Sequence, residues 1–114
     1  MRMLGRRADL REVVADAKEN GRAVRVVVGG MDKQSVLSAF VAGLDLPARF
    51  GTSLDALADG VRDLEDPDGL PIELIWDGVA ALRSSDKDTY VAVRELLRAV
   101  DEHRPDLRVT IVDR

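Results

Sequence analysis

Residues Leu46–Asp59 read LPARFGTSLDALAD, and an amphipathic helix begins inside this stretch. Thr52 and Ser53 precede an apolar stripe at steps of three and four residues, formed by Leu54, Leu57, Val61 and Leu64. Thr52 together with Asp55 resembles a capping box, in which two side chains satisfy free amides at the helix start. The turn formers of residues 66–69, Asp-Pro-Asp-Gly, end the pattern. The stretch therefore predicts a helix that begins after Ser53.

The polar side of this helix is predicted to be strongly acidic. Residues 54–68 contain six acids and one base, a net charge of −5, and four charged residues recur opposite the apolar stripe: Asp55, Asp59, Arg62 and Asp66. Asp55 and Asp59 are four residues apart, a like-charge pair that costs about 0.2–0.5 kcal/mol in a helix. Such acids are either solvated surface groups or a face that meets a basic partner, and both interpretations stay open. A glycine inside a helix costs about 1 kcal/mol relative to alanine. Gly60 therefore predicts that another part of the chain packs closely against the helix at this position.

Three strongly apolar segments lie on either side of this helix, at Val24–Val28, Ile72–Trp76 and Leu107–Val112. Helical patterns separate them, and Asp32 is an expected N-cap. These further helical segments are Asp32–Gly43, a short turn at Val79–Leu82, and Asp88–His103. Strands that alternate with helices indicate βαβ crossovers. We predict an α/β fold in which a three-stranded parallel sheet packs against helices.

The first part of the chain is predicted to be a helical extension. Ala8–Asn20 shows helical spacing, and residues 1–21 contain no segment that we predict as a strand. We therefore expect residues 1–21 to form an N-terminal helical extension and residues 22–114 to form the domain. Net charge through Arg25 is +3, so the start of the chain is basic.

Composition excludes several classes of function. The chain has 114 residues, 46% of them hydrophobic and 33% charged, which fits one globular domain. It has no cysteine, which excludes thiolate catalysis, disulfides and cysteine-based zinc sites. A net charge of −4 argues against nucleic acid as a partner. No apolar run approaches the roughly 20 residues of a membrane span. We expect a cytoplasmic protein with no membrane partner.

The segments that resemble catalytic or cofactor-binding motifs depart from the patterns that those motifs require. Residues 29–35 follow a strand as a phosphate loop would, but Asp32 and Gln34 flank Lys33 where such a loop has Gly and Ser or Thr. The turn at residues 66–69 lacks the ligand spacing of a calcium loop. His103 is the one histidine and lies at a predicted helix end. We predict no catalytic residue, metal or cofactor. A nucleotide-binding enzyme that uses the turn at Gly29 and Gly30 stays open as a separate hypothesis.

The stretch Leu46–Asp59 resembles the signature of the barstar family of intracellular ribonuclease inhibitors, Leu-Pro-x-Tyr-Tyr-Gly-x-Asn-Leu-Asp-Ala-Leu-Trp-Asp. The similarity continues more loosely from Val24 to Val112, through the strand around Trp76, the Arg94-Glu95 pair and the last strand. The resemblance implies a three-stranded parallel sheet with helices. It also implies an exposed helix whose preceding loop plugs a ribonuclease active site.

The resemblance also implies which residues contact the enzyme. Asp55 and Asp59 match two helix aspartates of the family, and Asp59 matches the one expected where substrate phosphate would bind. Glu95 matches a glutamate on the last helix that meets basic groups of the enzyme. The implied partner-binding set is Arg49, Phe50, Gly51, Ser53, Leu54, Asp55, Ala58, Asp59 and Glu95.

Two positions depart from the family pattern, because Arg49 replaces a tyrosine and Ala58 replaces a tryptophan. Aromatic side chains commonly anchor interfaces. The leading hypothesis is a stoichiometric, immunity-type inhibitor, monomeric when free, of a basic extracellular-type ribonuclease or ribonuclease toxin. The alternative is a barstar-like interaction module with a different partner, contacted through the basic N-terminal helix.

Overall fold

The computed structural model describes all of residues 1–114 as four strands, five α-helices and one short 3-10 helix. The predicted helices and strands occur in the predicted order, with ends that shift by a few residues. In chain order the elements are β1 (Arg2–Leu4), α1 (Leu10–Glu19), β2 (Ala23–Val28), α2 (Lys33–Leu44), the 3-10 helix (Ala48–Gly51), α3 (Leu54–Arg62), β3 (Ile72–Asp77), α4 (Ala80–Ser85), α5 (Lys87–His103) and β4 (Leu107–Val112).

The sheet is parallel throughout, in the order β1-β4-β3-β2. The prediction of three strands is wrong by one, because Arg2–Leu4 pairs with β4 from Arg2 opposite Thr110 to Leu4 opposite Val112. A three-residue segment carries too little periodicity to be recognised as a strand. The premise that residues 1–21 touch no strand is therefore wrong, and the division of the chain at residue 21 stays a prediction.

The order of the strands places helices on both faces of the sheet. The chain moves in one direction across the sheet from β2 through β3 to β4, but in the opposite direction from β1 to β2. Right-handed crossovers then put α1 on the face opposite the later helices. The main core, which contains Leu74 and Trp76, packs against α2, α3 and α5. Ile75, between Leu74 and Trp76 in β3, points to the opposite face of the sheet. It is buried there and is not part of the main core, and the same holds for Ala17 of α1 and Val112 of β4.

A fully buried carboxylate, Glu73 of β3, is the centre of an ion-pair cluster that extends to β1. It accepts hydrogen bonds from Arg108 Nε at 2.8 Å and from the Thr110 hydroxyl at 2.9 Å. Arg22 Nε lies 3.4 Å and Arg2 Nη2 lies 3.6 Å from its oxygens. Three arginines from different strands and loops therefore converge on one buried charge.

The two loops that resembled ligand-binding motifs are occupied by the chain's own side chains. Asp32 caps α2 by accepting hydrogen bonds from the Ser35 amide at 2.8 Å and the Ser35 hydroxyl at 2.6 Å, so a carboxylate already lies where phosphate would bind. Asp66 closes the turn at residues 66–69 by accepting from the Asp68 and Leu70 amides. No three His, Asp or Glu side chains are arranged to hold a metal ion. No helix has the length and apolar content to cross a membrane.

Candidate functional site

The acidic helix α3 begins at a serine cap. Ser53 Oγ accepts a hydrogen bond from the Ala56 amide at 3.0 Å, while the Thr52 hydroxyl donates to the Arg49 carbonyl at 3.0 Å. The predicted capping role of Thr52 is therefore wrong by one residue. Thr52 instead ties the helix start to the preceding 3-10 helix. On the inner side of α3, Leu57 and Val61 are fully buried, as the apolar stripe predicts.

The outer side of α3 presents two carboxylates to solvent. Asp55 is exposed and forms no side-chain hydrogen bond or ion pair. Asp59 forms a 3.0 Å ion pair with Arg62, and both side chains are about 60% exposed. Asp66 does not belong to this face: α3 ends at Arg62, and the Asp66 side chain turns inward to Arg25 at 3.1 Å. The predicted acidic face thus consists of Asp55 and Asp59, with Arg62 beside them.

The 3-10 helix before α3 packs against it at Gly60. A Cβ atom added at Gly60 would lie 3.0 Å from Phe50 Cγ and 3.1 Å from Leu46 Cδ1, so the prediction of close packing at this glycine is confirmed. A Cβ atom at Gly51 would lie 2.8 Å from Cγ2 of Val41 in α2. The exposed Arg49 guanidinium lies 4.6 Å from the centre of the Phe50 ring. These contacts fix the loop relative to the acidic helix.

A groove of about 720 Å³ runs between α3 and α5 and brings predicted residues from both helices together. Leu54, Asp55 and Ala58 line it from α3, and Glu95 lines it from α5. Glu95 is 51% exposed and lies 3.6 Å from Arg94 and 3.8 Å from Arg98. The other five predicted residues lie outside the groove, on the 3-10 helix, the cap and the outer side of α3: Arg49, Phe50, Gly51, Ser53 and Asp59.

No sequence pattern identified the residues that complete this groove. Its remaining lining residues are Arg62, Ala92, Leu96, Ala99, Val100, His103 and Arg104. Arg104 donates to the carbonyls of Arg62 and Leu64 and so satisfies the C-terminal end of α3 from the end of α5. The same guanidinium binds Asp106, which holds the pKa of that carboxyl below its ordinary value. Contacts between segments so distant in sequence leave no local pattern.

The site as a whole is a surface, held in place by contacts within the chain, that offers carboxylate oxygens as hydrogen-bond acceptors. His103 Nδ1 lies 2.7 Å from the Ala99 carbonyl one turn earlier, so its ring is held at the end of α5. Exposed carboxylates on a fixed helix suit the binding of cationic side chains, which form strong charge-assisted hydrogen bonds with them.

A comparison with protein-family models finds a match over most of the chain. A family model described as Barstar (barnase inhibitor) matches residues 24–112. The matched region begins in β2, ends at the last residue of β4, and includes the 3-10 helix, α3 and α5. Among curated proteins, the comparison finds no match.

Proposed function

The chain belongs to the barstar family, and from this membership we propose that it is a stoichiometric, non-catalytic inhibitor of a barnase-type ribonuclease. The 3-10 helix and α3 enter the active site of the enzyme, and Asp55 and Asp59 take the places of substrate phosphates. A site that binds RNA phosphate is lined with basic side chains, so a carboxylate helix complements its charge.

The observation that carries the proposal is that α3 presents two exposed carboxylates and is held in place by contacts at both of its ends and on its inner side. Ser53 caps the start of α3, Arg104 binds its last carbonyls, and Gly60 seats it on Phe50. A surface that is ordered before binding loses little conformational entropy on association. Asp55 has no partner within the chain, so its full charge is available to a cation of the enzyme.

Two arginines beside the carboxylates narrow the choice of enzyme. Arg49 lies over Phe50, and Arg62 pairs with Asp59. Positive charges at these points repel a uniformly basic site. The proposed enzyme therefore presents an acidic or aromatic group opposite them, while its basic centre meets Asp55 and Asp59. In this proposal the inhibitor is cytoplasmic and monomeric when free, and nucleic acid is not a partner.

A second candidate function is an interaction module whose partner is not a ribonuclease. It is favoured by exposed cations on the β1–α1 side that form no ion pair: Arg6, Arg7, Arg11 and Lys18. Changing Arg6, Arg7 and Arg11 together to alanine leaves ribonuclease inhibition intact if the first function holds. If the basic side is the working surface, this variant loses its partner, and the acidic-face variants keep it.

Titration of a ribonuclease tests the proposed function directly. Barnase and other barnase-type ribonucleases hydrolyse a fluorogenic RNA while the full chain is added in steps. We expect the activity of at least one enzyme to fall linearly to zero at one equivalent, and the affinity to weaken as salt is raised. Variant Glu19→Ala, which removes an exposed acid of α1, inhibits like the wild type. An enzyme panel unaffected by excess chain contradicts the proposal.

A further inference from the structure

The floor of the groove between α3 and α5 is apolar and open. Leu54 and Ala58 from α3 face Leu96, Ala99 and Val100 from α5. A volume of about 720 Å³ falls within the roughly 300–1,000 Å³ typical of ligand pockets. The groove is therefore large enough to hold a side chain from another molecule.

No side chain of this chain extends into that space to fill it. Three of its lining positions on the two helices are alanines, at 58, 92 and 99. The long side chains at one end are bound elsewhere, because Arg62 pairs with Asp59 at 3.0 Å and Arg104 binds carbonyls of α3 together with Asp106. A side chain that fills the groove must therefore come from a partner.

The two ends of the groove carry opposite charges, which fixes the direction of an occupant. Arg104 binds the C-terminal carbonyls of α3, so the two helices run side by side in the same direction. Asp55 and Glu95 lie towards the N-terminal end, and Arg62, His103 and Arg104 lie towards the C-terminal end. Asp55 is unpaired, and Glu95 is only loosely paired with its neighbours. A cation is therefore attracted to the Asp55–Glu95 end.

We propose that this groove receives a large apolar side chain of the inhibited ribonuclease, adjacent to a basic residue that binds Asp55 and Glu95. Ala58 is then the residue that sets specificity, because a bulky side chain at this position would occupy the groove. The inference rests on the proposed function, and it names the partner: a ribonuclease with a basic residue next to an exposed aromatic or large aliphatic one. A buried anchor of this kind carries a large share of the energy of an interface.

A small probe tests the groove without any enzyme. N-acetyl-Arg-Trp-amide is titrated into the isotope-labelled full chain, and amide shifts are followed by NMR. We expect the shifts to centre on Ala58 and Ala99 and to saturate at millimolar concentration. Variant Ala58→Trp weakens binding about tenfold or more, while Ala42→Trp, the same change on the exposed side of α2, does not. Binding that is unchanged in Ala58→Trp, or shifts that lie away from the groove, overturns the inference.

Two further arms separate this inference from the proposed function. Ala99→Leu is a smaller change that narrows the groove from the α5 side, and we expect it to lower the affinity for the dipeptide as well. This second variant keeps the test valid if Ala58→Trp does not fold. If the dipeptide binds the groove but no ribonuclease is inhibited, the proposed function fails and the groove site stands. If a ribonuclease is inhibited equally by the wild type, Ala58→Trp and Ala99→Leu, the groove is not used and the function stands.

Discussion

Replacing Gly60 with alanine should destabilise the protein, although the same change stabilises most helices. Removing a glycine from a helix interior is worth about 1 kcal/mol. At Gly60 the new Cβ atom would lie 3.0 Å from Phe50 Cγ, 3.1 Å from Phe50 Cβ and 3.1 Å from Leu46 Cδ1. Forcing atoms into a packed site costs about 1–3 kcal/mol. The packing cost exceeds the helix gain, and we expect a net loss of about 1 kcal/mol.

Urea and thermal unfolding of Gly60→Ala measure this loss. A change of about 1 kcal/mol lowers the Tm of a small domain by about 4–8 °C. Gly5→Ala is the control, because nothing lies within 4 Å of a Cβ atom at Gly5. The displaced Phe50 should also weaken ribonuclease binding, although Gly60 itself is buried. A variant that is more stable than the wild type would refute the packing argument.

Three further changes test the fold and its charges. Glu73→Gln leaves three arginines without their buried counter-charge, and we expect about 3–5 kcal/mol less stability in urea unfolding; a loss below about 1 kcal/mol would show that the cluster is dispensable. Burial raises the pKa of Asp66, but hydrogen bonds from the Leu70 and Asp68 amides and from Arg25 outweigh it, so the folded pKa lies below the ordinary 3.8. The stability that this carboxylate contributes is present above pH 4 or so and is lost as the pH falls through the folded pKa. Asp66→Asn should therefore lose less stability than the wild type between about pH 5 and pH 2, and equal losses in the two proteins would contradict this origin. Deleting residues 1–21 removes β1 and the Arg2 contact with Glu73, so we expect a lower unfolding midpoint; an unchanged midpoint would show that β1 adds nothing to the sheet.

Most of the fold follows from local patterns in the sequence. Six-residue strands such as Leu107–Val112 and helices such as α5 carry enough periodicity to be located within a residue or two. Strand β1 has three residues and exists because Thr110 and Val112 of β4 offer it partners. The position at which α3 ends also depends on tertiary contacts, since Arg104 donates a hydrogen bond to the carbonyl of Arg62, the last residue of that helix.

The candidate site likewise has features that local sequence predicts and features that depend on tertiary contacts. The exposure of Asp55 and Asp59 follows from helical spacing, and the packing at Gly60 follows from the cost of glycine in a helix. The inward turn of Asp66 could not be predicted, because its partner Arg25 lies 41 residues away. The groove likewise depends on how α3 and α5 pack together. Family resemblance supplied Glu95, which no local pattern singles out.

The central claim is that the acidic face of α3 binds the active site of a ribonuclease. Calorimetry at low salt, with a ribonuclease that the wild-type chain inhibits, compares Asp59→Ala with the wild type and with Glu19→Ala. Loss of a buried interfacial carboxylate that is paired with a cation costs about 2–5 kcal/mol. A hundredfold loss of affinity corresponds to about 2.8 kcal/mol, which lies within this range. We expect Asp59→Ala to lose at least that much, and Glu19→Ala to bind like the wild type. Wild-type affinity in Asp59→Ala would contradict the account.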